Sequence, residues 1–177
     1  MSSQTATLRR LYFVRFGFAL VWAGLLFTSA SKLGPVSVAL LVLYPLFDVV
    51  AAVIDLRSSK DTTGLYVNIA ISAVAGIGLA FAAASGIPAV LRVWGAWAVV
   101  SGLVQLAVGI GRRELGGQWA MIASGAISTL AGTAFVLQAT QPDASLRNLA
   151  GYAVLGGIFF LVSALRLGRH TQLSVQG

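Results

Sequence analysis

Cysteine is absent from this 177-residue chain, histidine occurs once, at His170, and five acidic residues stand against twelve basic ones. Without cysteine there are no disulfides, no thiolate metal sites and no sulfur nucleophile. A single histidine in a carboxylate-poor chain leaves no cluster with the composition of a metal site. Charged residues make up only 10% of the chain and hydrophobic ones 58%, where a soluble domain carries about 25% and about 45–50% respectively. That balance excludes a soluble globular domain. The net charge of +7 does not indicate nucleic acid either, because nucleic-acid modules gather their basic residues on one polar face. Here they fall in the gaps between apolar runs.

Those runs are the chain's main content. Six of them, at residues 11–29, 35–56, 64–84, 88–110, 118–137 and 146–167, are each long enough to cross a hydrocarbon core of about 30 Å at about 1.5 Å per residue. They must be helical, since in lipid a helix satisfies its own backbone and the alternation of a barrel strand is missing. The expected fold is all-α: a polytopic membrane protein with six transmembrane helices and short tails at residues 1–10 and 168–177. Arg9, Arg10 and the small residues Thr28-Ser29-Ala30 imitate a secretory signal. The intervening run exceeds a signal's apolar core of about 7–15 residues, so cleavage is not expected.

Basic residues set the orientation. Arg9 and Arg10, Arg57 and Lys60, Arg112 and Arg113, and Arg166 and Arg169 all belong to one side, while Lys32 alone lies in a loop of the other. The positive-inside rule puts both termini in the cytoplasm, as an even number of spans requires.

A repeat underlies the spans. Arg92-Val-Trp-Gly95-Ala-Trp97-Ala-Val-Val-Ser-Gly102 matches Arg147-Asn-Leu-Ala-Gly-Tyr152-Ala-Val-Leu-Gly-Gly157 at a separation of 55 residues. Carried backwards, the register aligns Tyr44 with Trp97 and Tyr152, and Asp48 with Ser101 and Gly156. In the odd-numbered spans Gly24, Gly76 and Gly132 align. Three parallel helical-hairpin repeats, at about 11–57, 64–111 and 118–167, are expected around a pseudo-threefold axis along the membrane normal. Gly24, Gly76, Gly132, Gly102 and Gly157 are the expected helix-packing positions. Small residues let backbones approach where lipid offers no hydrophobic drive for association, and the serines of Ser72-x3-Gly76 and Ser124-x3-Ser128-x3-Gly132 read mainly as packing in the same way.

Gly95-Ala-Trp-Ala-Val-Val-Ser-Gly102, Gln105, Gly116-Gly-Gln-Trp119 and Gly125-Ala-Ile-Ser-Thr-Leu-Ala-Gly132 together resemble the HdeD-like family of bacterial acid-resistance membrane proteins. The resemblance implies six spans, a bacterial inner-membrane location and a role in acid or envelope stress. It implies no reaction and no catalytic residue.

Charge inside the bilayer costs at least about 2.5–3.5 kcal/mol at mid-span, so intramembrane ionisable residues are the site candidates. Arg15 lies at a depth between those of Asp48 and Asp55, and an ion pair with one of them is expected, either as a structural lock of the first hairpin or as a proton site. Arg92 and Arg147, repeat-related and on the far side, are read as interfacial anchors or, alternatively, as a cationic outer vestibule. Asn68 and Gln105 are expected to hydrogen-bond between helices. Asp48 and Asp55, seven residues apart on one helix, are separated by about 10.5 Å of rise and cannot share a proton.

No catalytic residue, metal or cofactor is expected. Beyond the lipid bilayer, the expected partner is a second copy or another membrane protein. The leading functional expectation is a non-enzymatic inner-membrane protein of the stress response. The alternatives are a small channel or transporter for protons or small anions, and a scaffold whose Arg112/Arg113 loop binds a partner or anionic lipid. Because no histidine lies on the outer side, Asp48 rather than Asp143 or His170 is the candidate acid sensor.

Overall fold

The computed structural model describes residues 3–30, 32–57, 62–111, 113–115 and 118–173, with side chains between residues 6 and 168 except Leu115. Ser31, Ser59, Lys60, Arg112 and Gly116–Gly117 fall outside the described residues, as do the side chains of Arg169 and His170.

Six α-helices account for almost all of it: α1 (Ser3–Ser29), α2 (Pro35–Leu56), α3 (Thr63–Ala82), α4 (Ile87–Gly111), α5 (Trp119–Gln138) and α6 (Arg147–Leu173). There is no strand among the described residues, and all six helices are long and apolar enough to cross a membrane. The apolar runs therefore become the spans expected of them. α1 and α6 extend beyond their runs, so most of each expected tail is helical. These extensions touch: a Cβ at Gly168 would lie 3.1 Å from the Arg9 guanidinium, which places both termini at one end of the bundle, here called the terminal end.

The junctions follow local chemistry. Pro35 opens α2 at its first turn, where a missing N–H costs nothing, and the Gly34 N–H donates to Ser37 Oγ at 2.9 Å. Between α3 and α4 a single 3₁₀ turn, Ala83–Ser85, runs into Gly86 at φ 92°. This left-handed value, the only positive φ among the described residues, is open to glycine at no steric cost. Pro88 then follows as the second residue of α4, in the first turn where its missing N–H costs nothing.

Neighbours in space are not only neighbours in sequence. α4 packs most extensively on α5, α6 on α1, and α2 on α3, so the six helices close into a ring; α5 and α6, joined by a short loop, barely touch. Glycine decides the closest seam. Cβ atoms added at Gly95 or Gly132 would come within 2.6 Å of the other's carbonyl oxygen, and one at Gly102 within 2.6 Å of the Gly125 carbonyl. Seven-residue spacing on both helices keeps these positions on one seam, where backbones meet without intervening side chains.

The dense core occupies the half of the ring away from the termini. Trp22, Leu26, Leu41, Leu79, Val90, Leu91, Trp94, Leu146 and Leu149 are buried essentially completely. Trp22 and Trp94 stack with centroids 5.3 Å apart, and the Trp22 indole donates to the Leu40 carbonyl at 2.6 Å. This plug, rather than Gly76 and Gly132, closes the bundle axis. Gly76 lies against Pro45 and Leu46 of α2, Gly157 against Ala19 and Phe16 of α1, and Gly24 faces outward with nothing within 4 Å of a Cβ. The expected equivalence of Gly24, Gly76 and Gly132 thus does not extend to their packing: helix rotation points Gly24 away from every neighbour.

Candidate functional site

Below the plug the helices part. A cavity of about 530 Å³ extends from the terminal end to the aromatic floor of the ring. Its walls come from all six helices.

Asp48, halfway along α2, is the hub of one wall. Its Oδ1 accepts from the Arg15 guanidinium of α1, and its Oδ2 accepts from Asn68 Nδ2 at 2.7 Å and Ser72 Oγ at 2.9 Å, both on α3. Ser72 Oγ in turn accepts from Trp97 Nε1 of α4 at 3.2 Å. Four helices are thereby tied through one carboxylate. A charge withdrawn from water requires this: a partner of opposite sign and donors for its remaining lone pairs. Arg15 is held on its other side by the ring of Phe160, 4.4 Å from the centroid, a cation–π contact that supports the charge where water is scarce. The Arg15 and Asp48 side chains are 12% and 15% exposed, so the guanidinium turns into the bundle and does not snorkel to the interface.

Asp55, about two helical turns nearer the termini on α2, also lines the cavity. Of the two expected partners, Arg15 takes Asp48. On the opposite wall Tyr152 of α6 donates to Ser128 Oγ of α5 at 2.9 Å and meets Phe135 edge-on, centroids 5.7 Å apart. Ser72 and Ser128, expected from their spacing to be packing residues, both bond polar side chains. Two groups lack any such bond: Ser101 Oγ and Gln105 Oε1, buried on the cavity wall, have no hydrogen-bond partner. Gln105 therefore departs from its expected interhelical role. Burying polar atoms without partners costs about 1–3 kcal/mol each, which a side-chain rotation toward a water or a ligand in the cavity would recover.

The sequence register reappears in this cavity. Tyr44, Trp97 and Tyr152 line it, and so do Asp48, Ser101 and Gly156, the two sets of residues aligned by spacing alone. That alignment is the sequence signal for Trp97 and Tyr152, and it marks them as repeat positions rather than as site residues. Nothing in the sequence pointed to the indole of Trp22.

Arg92 and Arg147 are not brought together. Both are exposed, neither lines the cavity, and Arg147 lies over the ring of Phe27 at 5.7 Å. This geometry suits an interfacial anchor and supplies no cationic vestibule. Arg113 sits in an exposed 3₁₀ turn between α4 and α5. Among the described residues no group of His, Cys, Asp and Glu could hold a metal ion.

A cavity open at the terminal end, partly aromatic and with a few convergent polar groups, has the size and lining of a small-molecule site, for which volumes of about 300–1,000 Å³ are typical. No protein-family model, curated protein or solved structure matches the chain.

Proposed function

We propose that this multi-pass membrane protein is a non-enzymatic transport protein of the bacterial inner membrane that admits a small polar solute to Asp48 from the cytoplasmic face. One observation carries the reading: the cavity of about 530 Å³ that reaches the Arg15–Asp48 pair from the terminal end. Ser101 and Gln105 line the cavity, and a side-chain rotation would present their unpartnered oxygens to a solute or its water. A purely structural ion pair needs no such access. The cytoplasmic assignment of that end rests on the basic residues gathered there by sequence.

Three further parts belong to the proposal. The bundle is built from three hairpin copies, supported by the aligned residues that share the cavity and by the cyclic packing order. Its partner, beyond lipid, is a second copy or another membrane protein. Its setting is acid or envelope stress, supported by the HdeD-like motifs alone and tested by survival at low pH of cells carrying Asp48→Asn in place of the wild-type protein at matched expression.

The absence of cysteine makes the transport reading directly testable. Ser101→Cys and Gln105→Cys should react with a hydrophilic, impermeant thiol reagent in inverted membrane vesicles and stay unmodified in intact cells. Ser85→Cys, at the other end of the ring, should show the reverse. Protection of positions 101 and 105 from both sides would make the cavity dry and remove the reading; labelling of them in intact cells would reverse the orientation.

A further inference from the structure

A polar group that the Asp48 network does not use stands on the aromatic floor. Tyr44, Trp97 and Tyr152, the residues aligned by spacing, all line the cavity, but their donors are differently engaged. The Trp97 indole donates to Ser72 Oγ at 3.2 Å and the Tyr152 hydroxyl to Ser128 Oγ at 2.9 Å. These serines stand four residues before Gly76 and Gly132, the aligned glycines of α3 and α5. In α1 the matching position, four residues before Gly24, is Leu20, which carries no hydroxyl and is 40% exposed. The Tyr44 hydroxyl accordingly makes no hydrogen bond among the described residues, and unlike Ser101 Oγ it is not shut into the wall.

The hydroxyl is also aimed. Four rings hold that of Tyr44, those of Phe18, Trp22, Trp94 and Trp97, with centroids 4.6–6.1 Å away. A Cβ built at Gly156 would lie 4.0 Å from the hydroxyl oxygen, so the group points across the floor toward α6. Asp48 and Ser101, which share the register of Gly156, carry polar side chains; Gly156 carries none and leaves space in front of the hydroxyl. A buried tyrosine normally finds a partner for its polar tip. A donor fixed in advance also loses little freedom on binding.

We propose that the Tyr44 hydroxyl is the hydrogen-bonding anchor of the solute site and that the solute is an uncharged polyol. The inference rests on the transport reading of the Asp48 cavity and adds the group that holds the solute and the class of solute. The class follows from what is left to bond once the protein's own pairs are made. Among the described residues, the charged side chains that line the cavity are Arg15, Asp48 and Asp55. Arg15 and Asp48 are bonded to each other, and Asp48 accepts from Asn68 and Ser72 as well. Asp55 lies about two helical turns nearer the terminal end and is itself engaged. An ion brought to the floor would lose its water with no free counter-charge to meet it. The groups left to a solute are neutral: the Tyr44 hydroxyl directly, and Ser101 and Gln105 after a side-chain rotation. Beside them the rings of Trp97 and Tyr152 offer apolar surface to C–H groups. A chain of hydroxyl-bearing carbons matches both.

The test uses three probes with one polyol skeleton: sorbitol, its carboxylate analogue gluconate and its ammonium analogue N-methylglucamine. Each is added at constant pH and ionic strength to purified Ser101→Cys protein, and the rate of alkylation by a hydrophilic thiol reagent is followed. Position 101 lies about one turn from Trp97 toward the terminal end, so a polyol on the floor covers it. Sorbitol should slow alkylation saturably, and the two charged probes should leave it unchanged. Adding Tyr44→Phe should raise the half-protecting sorbitol concentration about two- to tenfold. Its thermal unfolding without solute should match that of Ser101→Cys alone, because the hydroxyl bonds no protein group. Gly156→Ala, whose methyl fits 4.0 Å from the hydroxyl, should raise the half-protecting concentration as well by occupying the space in front of it, and it carries the test if Tyr44→Phe does not fold.

Unchanged half-protecting concentrations in Tyr44→Phe and Gly156→Ala overturn the anchor, as does a lowered unfolding transition in Tyr44→Phe, which would mean that the protein itself holds the hydroxyl. Protection by gluconate or N-methylglucamine equal to that by sorbitol, or none by sorbitol, overturns the solute class while a labelled Ser101→Cys leaves the cavity in place. Unlabelled Ser101→Cys overturns the transport reading beneath both.

Discussion

The two halves of this bundle are made by the same six helices and are built in opposite ways. Away from the termini, Trp22, Leu26, Leu91, Trp94 and Leu149 fill the ring until almost none of their surface is exposed. Toward the termini the same helices carry Arg15, Asp48, Asn68, Ser101 and Gln105 and enclose open space instead. The polar side chains there are short or bonded to each other, so they do not interdigitate as large apolar ones do. The comparison teaches a division of labour: packing in one half holds the ring closed, and this allows the other half to remain hollow around a buried charge.

The comparison can be broken most severely in the dense half. Trp94→Ala should destabilise the protein by about 3–5 kcal/mol, because a large cavity opens where the neighbouring rings cannot collapse; thermal unfolding in detergent measures it. In the hollow half Arg15→Leu or Asp48→Leu alone should cost about as much, about 3–5 kcal/mol, by leaving an uncompensated charge, whereas the double substitution should recover most of the loss. Strict additivity in that cycle would mean that no pair exists in the membrane. The α4–α5 seam, which crosses both halves, should lose about 1–3 kcal/mol on Gly95→Val, since the new side chain meets the Gly132 carbonyl oxygen and the Val136 backbone as well as the stiff, branched Val136 side chain. The smallest effect belongs to the hydrogen bonds around Asp48. Asn68→Ala should cost about 0.6 kcal/mol, the average for a polar contact between membrane helices, measurable as a shift in the same unfolding transition.

The spans were readable in sequence because hydropathy is local: a run of apolar residues long enough to cross the membrane needs no knowledge of its neighbours. The Arg15 pair was readable in part, since depth along each helix narrows the partners to Asp48 and Asp55, but only the helix rotation and the two α3 donors choose between them. The ring order was not readable. Which helices pack depends on facing surfaces, so Gly24, aligned by spacing with Gly76 and Gly132, turns outward while Gly95 and Gly102 form the closest seam. The cavity was hidden for the same reason. An empty volume is a property of six helices together, and the sequence could offer only the aligned Tyr44, Trp97 and Tyr152 without saying that they meet.

The stacked aromatic floor also gives the molecule a built-in optical probe. Of the four tryptophans, Trp22, Trp94 and Trp97 lie within a single cluster with Tyr44, neighbouring centroids being 4.6–6.1 Å apart, while Trp119 stands at the edge of α5, 78% exposed. Replacing Trp119 by phenylalanine leaves an emission that comes only from the floor of the cavity. Rings at this separation exchange excitation, so the near-ultraviolet circular dichroism of that variant reports the orientation of the three indoles. Trp97 touches the cavity and Trp94 does not, so a solute arriving beside Asp48 would be read without any attached label.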